Sequence, residues 1–569
     1  MKISMNVRFW YLEPSSIRRG LFLVGGKMGL NNIIVVIGGL AFFLFVMSVL
    51  SASLKKVAGK RLEVILEKMT DHPLKGLMLG AVITIAMQSS SALTVMLVGL
   101  VNSGIMNIAQ TVGVIMGSNI GTTLTAWILS LSGLKTDNIL LSMLKPANFS
   151  PIMALIGVCL IMAAKEQKKK DLGQVLVGFA ILMHGMEMMS DALAPLSEVP
   201  EFVDALTAFR NPFFGVLIGT LFTAVIQSSA ASVGVLQALS LTGHITYGVA
   251  IPIIMGQNIG TCVTALLSTI GVSKNAKRVS VIHISFNLIG TAIGLILYIM
   301  LDWGVGLSIF NDVIKPFEIA AFHSIFNVVT TCLLLPFSKQ LVNIAESVIK
   351  DDGNQEVFLD KRLLLTPAIA VKECKKKSAL ILQDAANGYM ESMSLIGDYD
   401  SKSKDNIKEL EERVDEMVES CNNFLIQLSS KDVSDSDSEI IATTLHTIGD
   451  MERISDYSLN LSTVAKKMEQ ADYDKKELKK RLKDTNKKLE SLFEKIMIAY
   501  ENDDVSKANE VREQSEELVD QIKKAKKSDL KKLRKGKIDA EISVYLSDYL
   551  SISRRVVEHI QNIAEAIAI

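Results

Sequence analysis

The sequence PLKGLMLGAVITIAMQSSS, at residues 73–91, returns in similar form as PFFGVLIGTLFTAVIQSSA at residues 212–230. The copies lie 139 residues apart, and each is followed at the same spacing by Asn-Ile-Gly-Thr, at residues 119–122 and 258–261. They align without a gap over 73–126 and 212–265, which chance similarity rarely permits. A unit of the chain is therefore duplicated, and its shared residues are polar groups and glycines inside apolar sequence.

Charged residues are segregated along the chain. Residues 76–134 and 211–273 contain no Asp, Glu, Lys or Arg, although the whole chain has 60 acidic and 60 basic residues. From about residue 340 onward the sequence is rich in Lys and Glu. The composition predicts an all-α chain, a polytopic membrane part followed by a polar helical part. The net charge of zero averages two unlike regions and gives no reason to expect nucleic acid as a partner. The five cysteines lack CxxC spacing, which favours reduced thiols over a zinc or disulfide framework.

Several apolar segments are long enough, or nearly so, to span a membrane, at about 31–53, 149–164, 172–190, 279–301 and 318–338. Within 74–103 each arm beside Gln-Ser-Ser has about 14 residues, roughly 21 Å of helix against ~30 Å of hydrocarbon. We therefore predict a re-entrant hairpin there. The segment 108–131 is long enough to cross, and its Gly-Ser-Asn-Ile-Gly-Thr string predicts a crossing helix that is broken at 117–122.

This organisation divides the chain into six parts. They are an N-terminal extension of unknown role at 1–30, transmembrane repeats at 31–164 and 172–301, a final transmembrane helix at 318–338, a linker at 341–365 and a helical domain at 366–569.

Loop charges predict the topology. The segment 52–71 is basic and its counterpart 191–210 is acidic, so the positive-inside rule places them on opposite sides of the membrane and the repeats are inverted. Basic loops at 165–171 and 274–278 are expected inside. The C-terminal domain is then cytoplasmic, and the chain is a multi-pass protein of the cell (inner) membrane, surrounded by lipid.

The motif regions offer hydroxyls, amides, backbone and helix ends, and they carry no formal charge. A helix that begins after each Gln-Ser-Ser suits an oxyanion. Interrupted helices at 117–122 and 256–261 would free carbonyl oxygens for a cation such as sodium. An anion that moves with its own cations would balance the charge. The competing interpretation is that these small residues serve helix packing.

Other polar residues in the apolar part have two interpretations each. His184 and Glu187 either form a proton relay or pair with each other in the bundle. His283 with Asn287, and His323 with Asn327, repeat the pattern His-x-x-x-Asn. We interpret these two pairs as helix-packing groups, with direct substrate contact as the alternative.

The doubled Gln-Ser-Ser and Asn-Ile-Gly-Thr strings resemble the sodium/phosphate cotransporter family over about residues 31–340. The resemblance implies that two hairpins meet near the membrane centre to hold phosphate and sodium. The phosphate candidates it implies are Ser89, Ser90, Ser91, Ser228, Ser229, Asn119 and Asn258. The sodium candidates are Gln88, Gln227, Thr125, Thr264, Ser118 and Gln257. Two positions depart from the family pattern, since Ala230 replaces a third serine and Gln257 replaces the serine seen at Ser118.

The polar part is predicted to form two three-helix halves, around 405–463 and 500–567, because apolar residues recur three and four apart. The string at 450–460 returns at 552–562, and the region resembles the PhoU domain. In that family an acidic motif binds metal, which implies a divalent or iron-type ion at Glu452 and Asp456. The alternative is a solvated helix face. In the second copy Arg554 replaces the acid, and we expect an Arg554–Glu558 salt bridge there.

The sequence thus predicts a sodium-coupled secondary transporter of inorganic phosphate with a cytoplasmic regulatory domain. The alternatives are a phosphate exporter, or a phosphate-sensing membrane protein with little transport. No nucleotide-binding loop and no nucleophile–base pattern stand in the sequence, so neither a primary pump nor an enzyme is expected. The sequence leaves open whether the protein is a homo-oligomer.

Overall fold

The computed structural model describes residues 34–35, 37–50, 53–54, 72–133, 146–193, 210–350, 358–431, 433–470, 475–536 and 538–568. The chain forms two compact units, Met1–Val357 and Phe358–Ile569. The regular elements among the described residues are helices, as predicted. The predicted extension at 1–30, the basic segment 52–71 and most of the acidic segment 191–210 lie outside the described residues.

The membrane unit contains twelve named helices among its described residues. They are α1 (Ile37–Leu50), α2 (Pro73–Met87), α3 (Ser90–Asn102), α4 (Ile108–Ser130), α5 (Pro146–Ala163), α6 (Gln167–Leu193), α7 (Pro212–Ile226), α8 (Ser229–Ser240), α9 (Tyr247–Leu267), α10 (Lys274–Ile299), α11 (Pro316–Leu334) and α12 (Ser338–Val348). The repeated elements are α2 to α4 and α7 to α9.

Each predicted hairpin is present as two short helices. The arms α2 and α3 have 15 and 13 residues, and α7 and α8 have 15 and 12. Proline begins α2 and α7, where a missing N–H costs nothing because the first turn has no intrahelical partner for it. None of the four arms reaches the ~20 residues that a full crossing needs.

The predicted break in the crossing helices is wrong. Helix α4 runs without interruption from Ile108 to Ser130, and α9 runs from Tyr247 to Leu267, so both Gly-x-Asn-Ile-Gly-Thr strings are helical. The glycines serve close packing instead. A Cβ at Gly117 would lie 1.9 Å from the Leu77 carbonyl oxygen, and one at Gly256 would lie 2.0 Å from the Val216 oxygen.

These contacts fix how each hairpin lies on its crossing helix. The carbonyl oxygens of Pro73, Leu77 and Ala81 face three glycines of α4 spaced four residues apart, namely Gly113, Gly117 and Gly121. Contacts that advance in the same direction on both helices mean that α2 and α4 run parallel. In repeat two the carbonyl oxygens of Val216 and Thr220 on α7 face Gly256 and Gly260 of α9, and Gly219 of α7 faces the Ile253 oxygen of α9. Each interior glycine costs roughly 1 kcal/mol of helix propensity, which the backbone approach offsets.

Four helical segments are long and apolar enough to cross a membrane, by length and composition: Ile108–Ser130, Tyr247–Leu267, Lys274–Val305 and Pro316–Val348. They include the predicted spans at 279–301 and 318–338. The predicted spans at 149–164 and 172–190 lie in α5 and α6, which are not among these four, and the described part of the predicted span 31–53 is helical at 34–35, 37–50 and 53–54. The predicted linker 341–365 is wrong at its start, because α12 occupies Ser338–Val348 and packs on α4 and α10 through buried Leu341 and Ala345.

The predicted bounds of the two three-helix halves, 405–463 and 500–567, are wrong, because each range covers only two of the three helices in its half. The described residues of the polar unit form six helices in two groups of three. They are α13 (Pro367–Ser394), α14 (Ser401–Ser429), α15 (Asp435–Gln470), α16 (Lys475–Asn502), α17 (Val505–Arg534) and α18 (Ala540–Ala568). The repeated strings lie on α15 and α18, which pack together. His559 Nδ1 lies 2.6 Å from Asp450 Oδ1, and Asn562 donates to the same oxygen.

The glycine contacts give a first prediction. Gly117→Ala forces α2 away from α4, because the new methyl group would meet a backbone oxygen that cannot move alone. Overpacking of this kind typically costs about 1–3 kcal/mol, so the melting temperature of the purified protein in detergent should fall clearly. Gly38→Ala on α1 is the control, since no atom of the described part of the chain lies within 4 Å of a Cβ there. Equal melting temperatures for the two variants would contradict the packing argument.

Candidate functional site

The two hairpin tips share an uncommon backbone conformation. Gln88 and Gln227 have φ of 51° and 59°, and among the described non-glycine residues only Asp503 also has a positive φ. Left-handed backbone costs a residue with a side chain of order 1–3 kcal/mol and tends to persist at functional sites. Glycine would adopt this backbone conformation without strain. A glutamine at both tips therefore indicates that its side chain is needed there.

The serines after each glutamine start a helix. Ser89 and Ser228 are the N-caps, and their Oγ atoms accept hydrogen bonds from the amides of Ala92 (3.1 Å) and Ala231 (3.2 Å). Helices α3 and α8 therefore begin inside the motif, one residue earlier than the sequence suggested. Within the described residues no acceptor is recorded for the first two amides of either helix, at Ser90, Ser91, Ser229 and Ala230. Such amides, with the helix dipole, form an anion-binding end.

The two tips approach the same stretch of α4. Gln88 Oε1 accepts a 2.5 Å hydrogen bond from the Thr125 hydroxyl. Four residues further along α4, Leu129 packs in one cluster with Ala230 and Ala231, which directly follow Ser229. The second arm of each hairpin packs on the crossing helix of the other repeat, α3 on α9 and α8 on α4. The tip before α3 is therefore tied to α4 at Thr125, and the start of α8 shares a hydrophobic cluster with Leu129 of the same helix.

The polar bonds of the two repeats differ, although the helices correspond. Thr84 Oγ1 donates to Ser118 Oγ at 2.8 Å, which ties the first hairpin to its crossing helix. In repeat two, Gln257 stands where Ser118 would be, and Thr223 donates instead to Ser232 at 2.8 Å. Ser232 was not among the predicted site residues. Ser232 aligns with Leu93 of repeat one. The sequence therefore does not show that Ser232 replaces Ser118 as the hydrogen-bond partner of the threonine, because that requires knowing the partner of Thr223.

The tip contacts are also asymmetric. Thr125 bonds Gln88, whereas Thr264 donates to the Thr261 carbonyl of its own helix. Gln227 is exposed, and Gln88 is half-buried. Gln88 is further held because its Nε2 donates to the Ile85 carbonyl. The structure therefore brings together Gln88 and Thr125, two of the predicted sodium candidates, and does not join Gln227 to Thr264.

Both motif asparagines, Asn119 and Asn258, are buried, and the Nδ2 atom of each already donates a hydrogen bond. Asn119 Nδ2 donates to the Ile115 carbonyl at 3.2 Å, and Asn258 Nδ2 donates to Asn327 Oδ1 at 2.8 Å. Their Oδ1 atoms have no recorded donor among the described residues. Gln257 is 1% exposed, and its Oε1 likewise has no partner there. These oxygens are acceptors, and a hard cation such as sodium takes neutral oxygens. Asn119 lies six residues before Thr125, about 9 Å along the helix axis.

The pair His184 and Glu187 lies on the outside of its helix. The side chains are 3.9 Å apart and 69% and 53% exposed. The two side chains pair with each other, which was one of the two interpretations. The pair lies on the outer face of α6, however, and not inside the bundle. From the sequence, Asn327 was interpreted as a helix-packing group with direct substrate contact as the alternative. In the structure its Oδ1 accepts a hydrogen bond from the motif residue Asn258.

The polar unit contains a group of carboxylates around the predicted metal residues. Asp456 lies with Glu411 and Asp415 of α14, with one ligand oxygen of each within 4.8 Å of the others. Glu452 stands beside this group rather than in it. Three hard oxygen donors suit a divalent cation, although Asp456 also pairs with Arg453 at 3.0 Å. The expected Arg554–Glu558 pair is present at 3.7 Å, which confirms that the second copy lacks the acid.

Burial raises the pKa of Glu411, Asp415 and Glu452, and the negative charge of neighbouring carboxylates raises it further. The folded carboxyls therefore keep their protons to higher pH than the unfolded chain does. As a consequence, their contribution to the free energy of unfolding falls as the pH rises above the ordinary carboxyl range.

The membrane part and the polar part each match a known family. The family model described as Na+/Pi-cotransporter matches residues 42–191 and 198–313, and the PhoU domain model matches residues 381–465. An uncharacterized Bacillus subtilis protein, YqeW, is 30% identical over 312 residues, which cover 54% of this chain and 95% of that protein.

Two relatives have names that refer to phosphate. The putative inorganic phosphate export protein YjbB of Escherichia coli is 24% identical over 409 residues, 70% of this chain and 72% of that protein. The human sodium-dependent phosphate transport protein 2B is 33% identical over 105 residues, 18% of this chain and 15% of that protein. No solved structure matches the chain.

The family match, together with the apolar helices, places the chain among membrane transport proteins of the phosphate-transporting class. The chain belongs to the Na+/Pi-cotransporter family, and its polar unit contains a PhoU domain. Members of this family are transporters rather than enzymes.

The asymmetric tips give a second prediction. Thr125→Val removes the hydroxyl that holds Gln88 and keeps the shape of the side chain. One hydrogen bond contributes about 1 kcal/mol, so phosphate affinity should weaken several-fold in an uptake assay. Thr264→Val is the matched control and should change affinity little, because Thr264 bonds only its own helix. Equal effects of both substitutions would show that the Gln88 contact has no role.

The carboxylate group gives a third prediction. Asp415→Asn removes one negative charge, so it should raise the melting temperature of the full chain at neutral pH and reduce its fall with rising pH. It should also reduce any stabilisation by Mn²⁺ or Mg²⁺. Asp405→Asn, on the same helix outside the group, is the control. If Asp415→Asn melts like the wild type with and without metal at every pH, the group has no electrostatic role.

Proposed function

We propose that this chain carries inorganic phosphate across the cell membrane together with sodium, and that the two Gln-Ser-Ser hairpins hold the anion. The observation that carries the proposal is the pair of strained tips, each followed by a helix that begins at a buried serine. Ser90 and Ser229 are buried, and each offers a hydroxyl beside amides with no recorded acceptor. Hydroxyls and helix N-termini together match the oxygens of phosphate.

The charge balance supports sodium as the coupled ion. Residues 76–134 and 211–273 contain no basic side chain to neutralise phosphate and no acidic side chain to neutralise a cation. Each ion would supply the counter-charge that the protein omits, so each should bind better when the other is present. The names of the relatives support this pairing, since one refers to sodium-dependent phosphate transport.

The oxygen atoms left free by the hydrogen bonds suggest where sodium would bind. The Oε1 atom of Gln257 is buried without a partner among the described residues, and the Oδ1 atoms of the buried residues Asn119 and Asn258 are left free by the bonds that their Nδ2 atoms make. We assign both asparagines to the cation rather than to phosphate, contrary to the expectation from sequence. Gln88 and Thr125 bond each other and would orient the first tip.

The direction of transport follows from ion gradients and regulation rather than from side chains. An Escherichia coli relative is named a putative phosphate export protein, which keeps export as the second candidate. We place the chain in the inner membrane with the PhoU domain in the cytoplasm. The support is the basic sequence at the starts of α6 and α10, at 165–171 and 274–278.

The fourth prediction tests the function directly. In proteoliposomes, uptake of radioactive phosphate should be more than ten-fold greater with sodium than with potassium or choline. Ser90→Ala and Ser229→Ala should each weaken apparent phosphate affinity roughly ten-fold, because a hydrogen bond to a charged group contributes about 1.5–3 kcal/mol. Ser240→Ala is the control, since Ser240 lies at the far end of α8 and bonds its own helix.

Three other outcomes would each exclude one part of the proposal. Equal uptake in all three salts would remove sodium coupling. Unchanged affinity in both serine variants would remove the hairpins from the site. Phosphate binding without uptake would favour a sensor whose output is the PhoU domain.

A further inference from the structure

A polar face on α11 extends the site beyond the part of the chain that the family model matches. The match ends at residue 313, and α11 begins at Pro316. His323, Asn327 and Thr331 follow each other at four-residue steps on this helix and are 1%, 1% and 2% exposed. Three buried polar side chains on one face of an apolar helix need a partner or a ligand.

Asn327 has its orientation fixed by its own helix. Its Nδ2 donates to the His323 carbonyl at 2.8 Å, and a carbonyl can only accept. The Asn327 Oδ1 atom must therefore point the other way, toward Asn258. Asn258 then has to present its Nδ2, as the 2.8 Å bond between them shows. The order of donors and acceptors thus determines which end of the Asn258 amide remains free, and that end is Oδ1.

The equivalent polar face on α10 offers an internal comparison. Asn287 donates to the His283 carbonyl at 3.0 Å in the same way, but its second contact is with Cys262 Sγ at 3.3 Å. It does not touch a motif asparagine. In repeat one, Asn119 donates to its own helix. Among the described residues, Asn258 is thus the one motif asparagine whose side chain is held by another helix.

Unfilled acceptors on the same two helices point to a ligand. Gln257 Oε1, His323 Nδ1 and Thr331 Oγ1 are buried without a partner in the described part of the chain. Helices α9 and α11 are in contact, because Asn258 bonds Asn327 and both helices contribute to one hydrophobic cluster. Neutral oxygens and an imidazole nitrogen, with no carboxylate in residues 211–273, suit a monovalent cation or its water.

We propose that Asn327 is a positioning residue for sodium, because it turns Asn258 Oδ1 toward the ion and makes α11 part of the coupling. This inference rests on the proposed sodium coupling. It also gives α11 a role in transport. If α11 shifts relative to α9, the Asn258–Asn327 bond breaks, the amide is free to rotate, and the cation loses a ligand.

The test is the sodium dependence of phosphate uptake in proteoliposomes of the full chain. Asn327→Ser removes the reach to Asn258, while a serine hydroxyl can bond the His323 carbonyl one turn back, which favours folding. The sodium concentration for half-maximal uptake should rise about ten-fold. The maximal rate and the phosphate affinity at saturating sodium should stay near the wild type. Asn287→Ser is the matched control, and its sodium dependence should remain within about two-fold of the wild type.

A double substitution separates positioning from general structural damage. In an Asn258→Ala background, Asn327→Ser should cause no further rise, because its effect passes through Asn258. Additive effects would overturn the proposal, as would equal sodium shifts in Asn327→Ser and Asn287→Ser. If wild-type uptake depends on sodium and the Asn327→Ser variant has the same sodium dependence, the role of Asn327 is rejected, but sodium coupling is not. A wild type that ignores sodium would reject both this inference and the sodium coupling.

Discussion

The rest of the membrane unit depends on the contact of backbone with backbone between each hairpin and its crossing helix. Carbonyl oxygens of α2 and α7 occupy the space that a Cβ would take at Gly117 and Gly256. This contact fixes the axial position of each hairpin, and with it the height of the tip. A tip held at a fixed height can keep a strained glutamine and present a helix end, because the arms cannot slide to relieve the strain. The apolar setting strengthens the effect, since lipid provides no other driving force for helix association.

The repeats keep this scaffold and differ in their polar contacts. Thr84 reaches the crossing helix, while Thr223 bonds within its own hairpin, and only the first tip is tied to its threonine. A two-fold scaffold with unequal polar groups suits a site that must hold unlike ions. Although Gln257 replaces the serine in repeat two, the threonine keeps a hydrogen-bond acceptor. Ser232 accepts from Thr223 the bond that Ser118 accepts from Thr84 in repeat one.

The PhoU domain shows the same principle of duplication followed by divergence. One copy gathers three carboxylates, and the other replaces an acid with Arg554, which pairs with Glu558. Burial and neighbouring carboxylates raise the pKa of Glu411 and Asp415 in this group, so its charge changes with pH over a higher range than that of an exposed carboxyl.

The sequence by itself determined the helical class, the duplication, the hairpins and the charge-free site, because each follows from periodicity, spacing and residue type. It predicted Gln88, Thr125 and Asn258 as site residues but could not pair them. The broken crossing helices were a wrong prediction, since glycine in an apolar helix signals a break and a close approach equally, and only the Leu77 oxygen beside Gly117 distinguishes the two. The role of Asn327 was likewise hidden. A hydrogen bond between residues 69 positions apart depends on how α9 and α11 pack, and tertiary structure alone decides that.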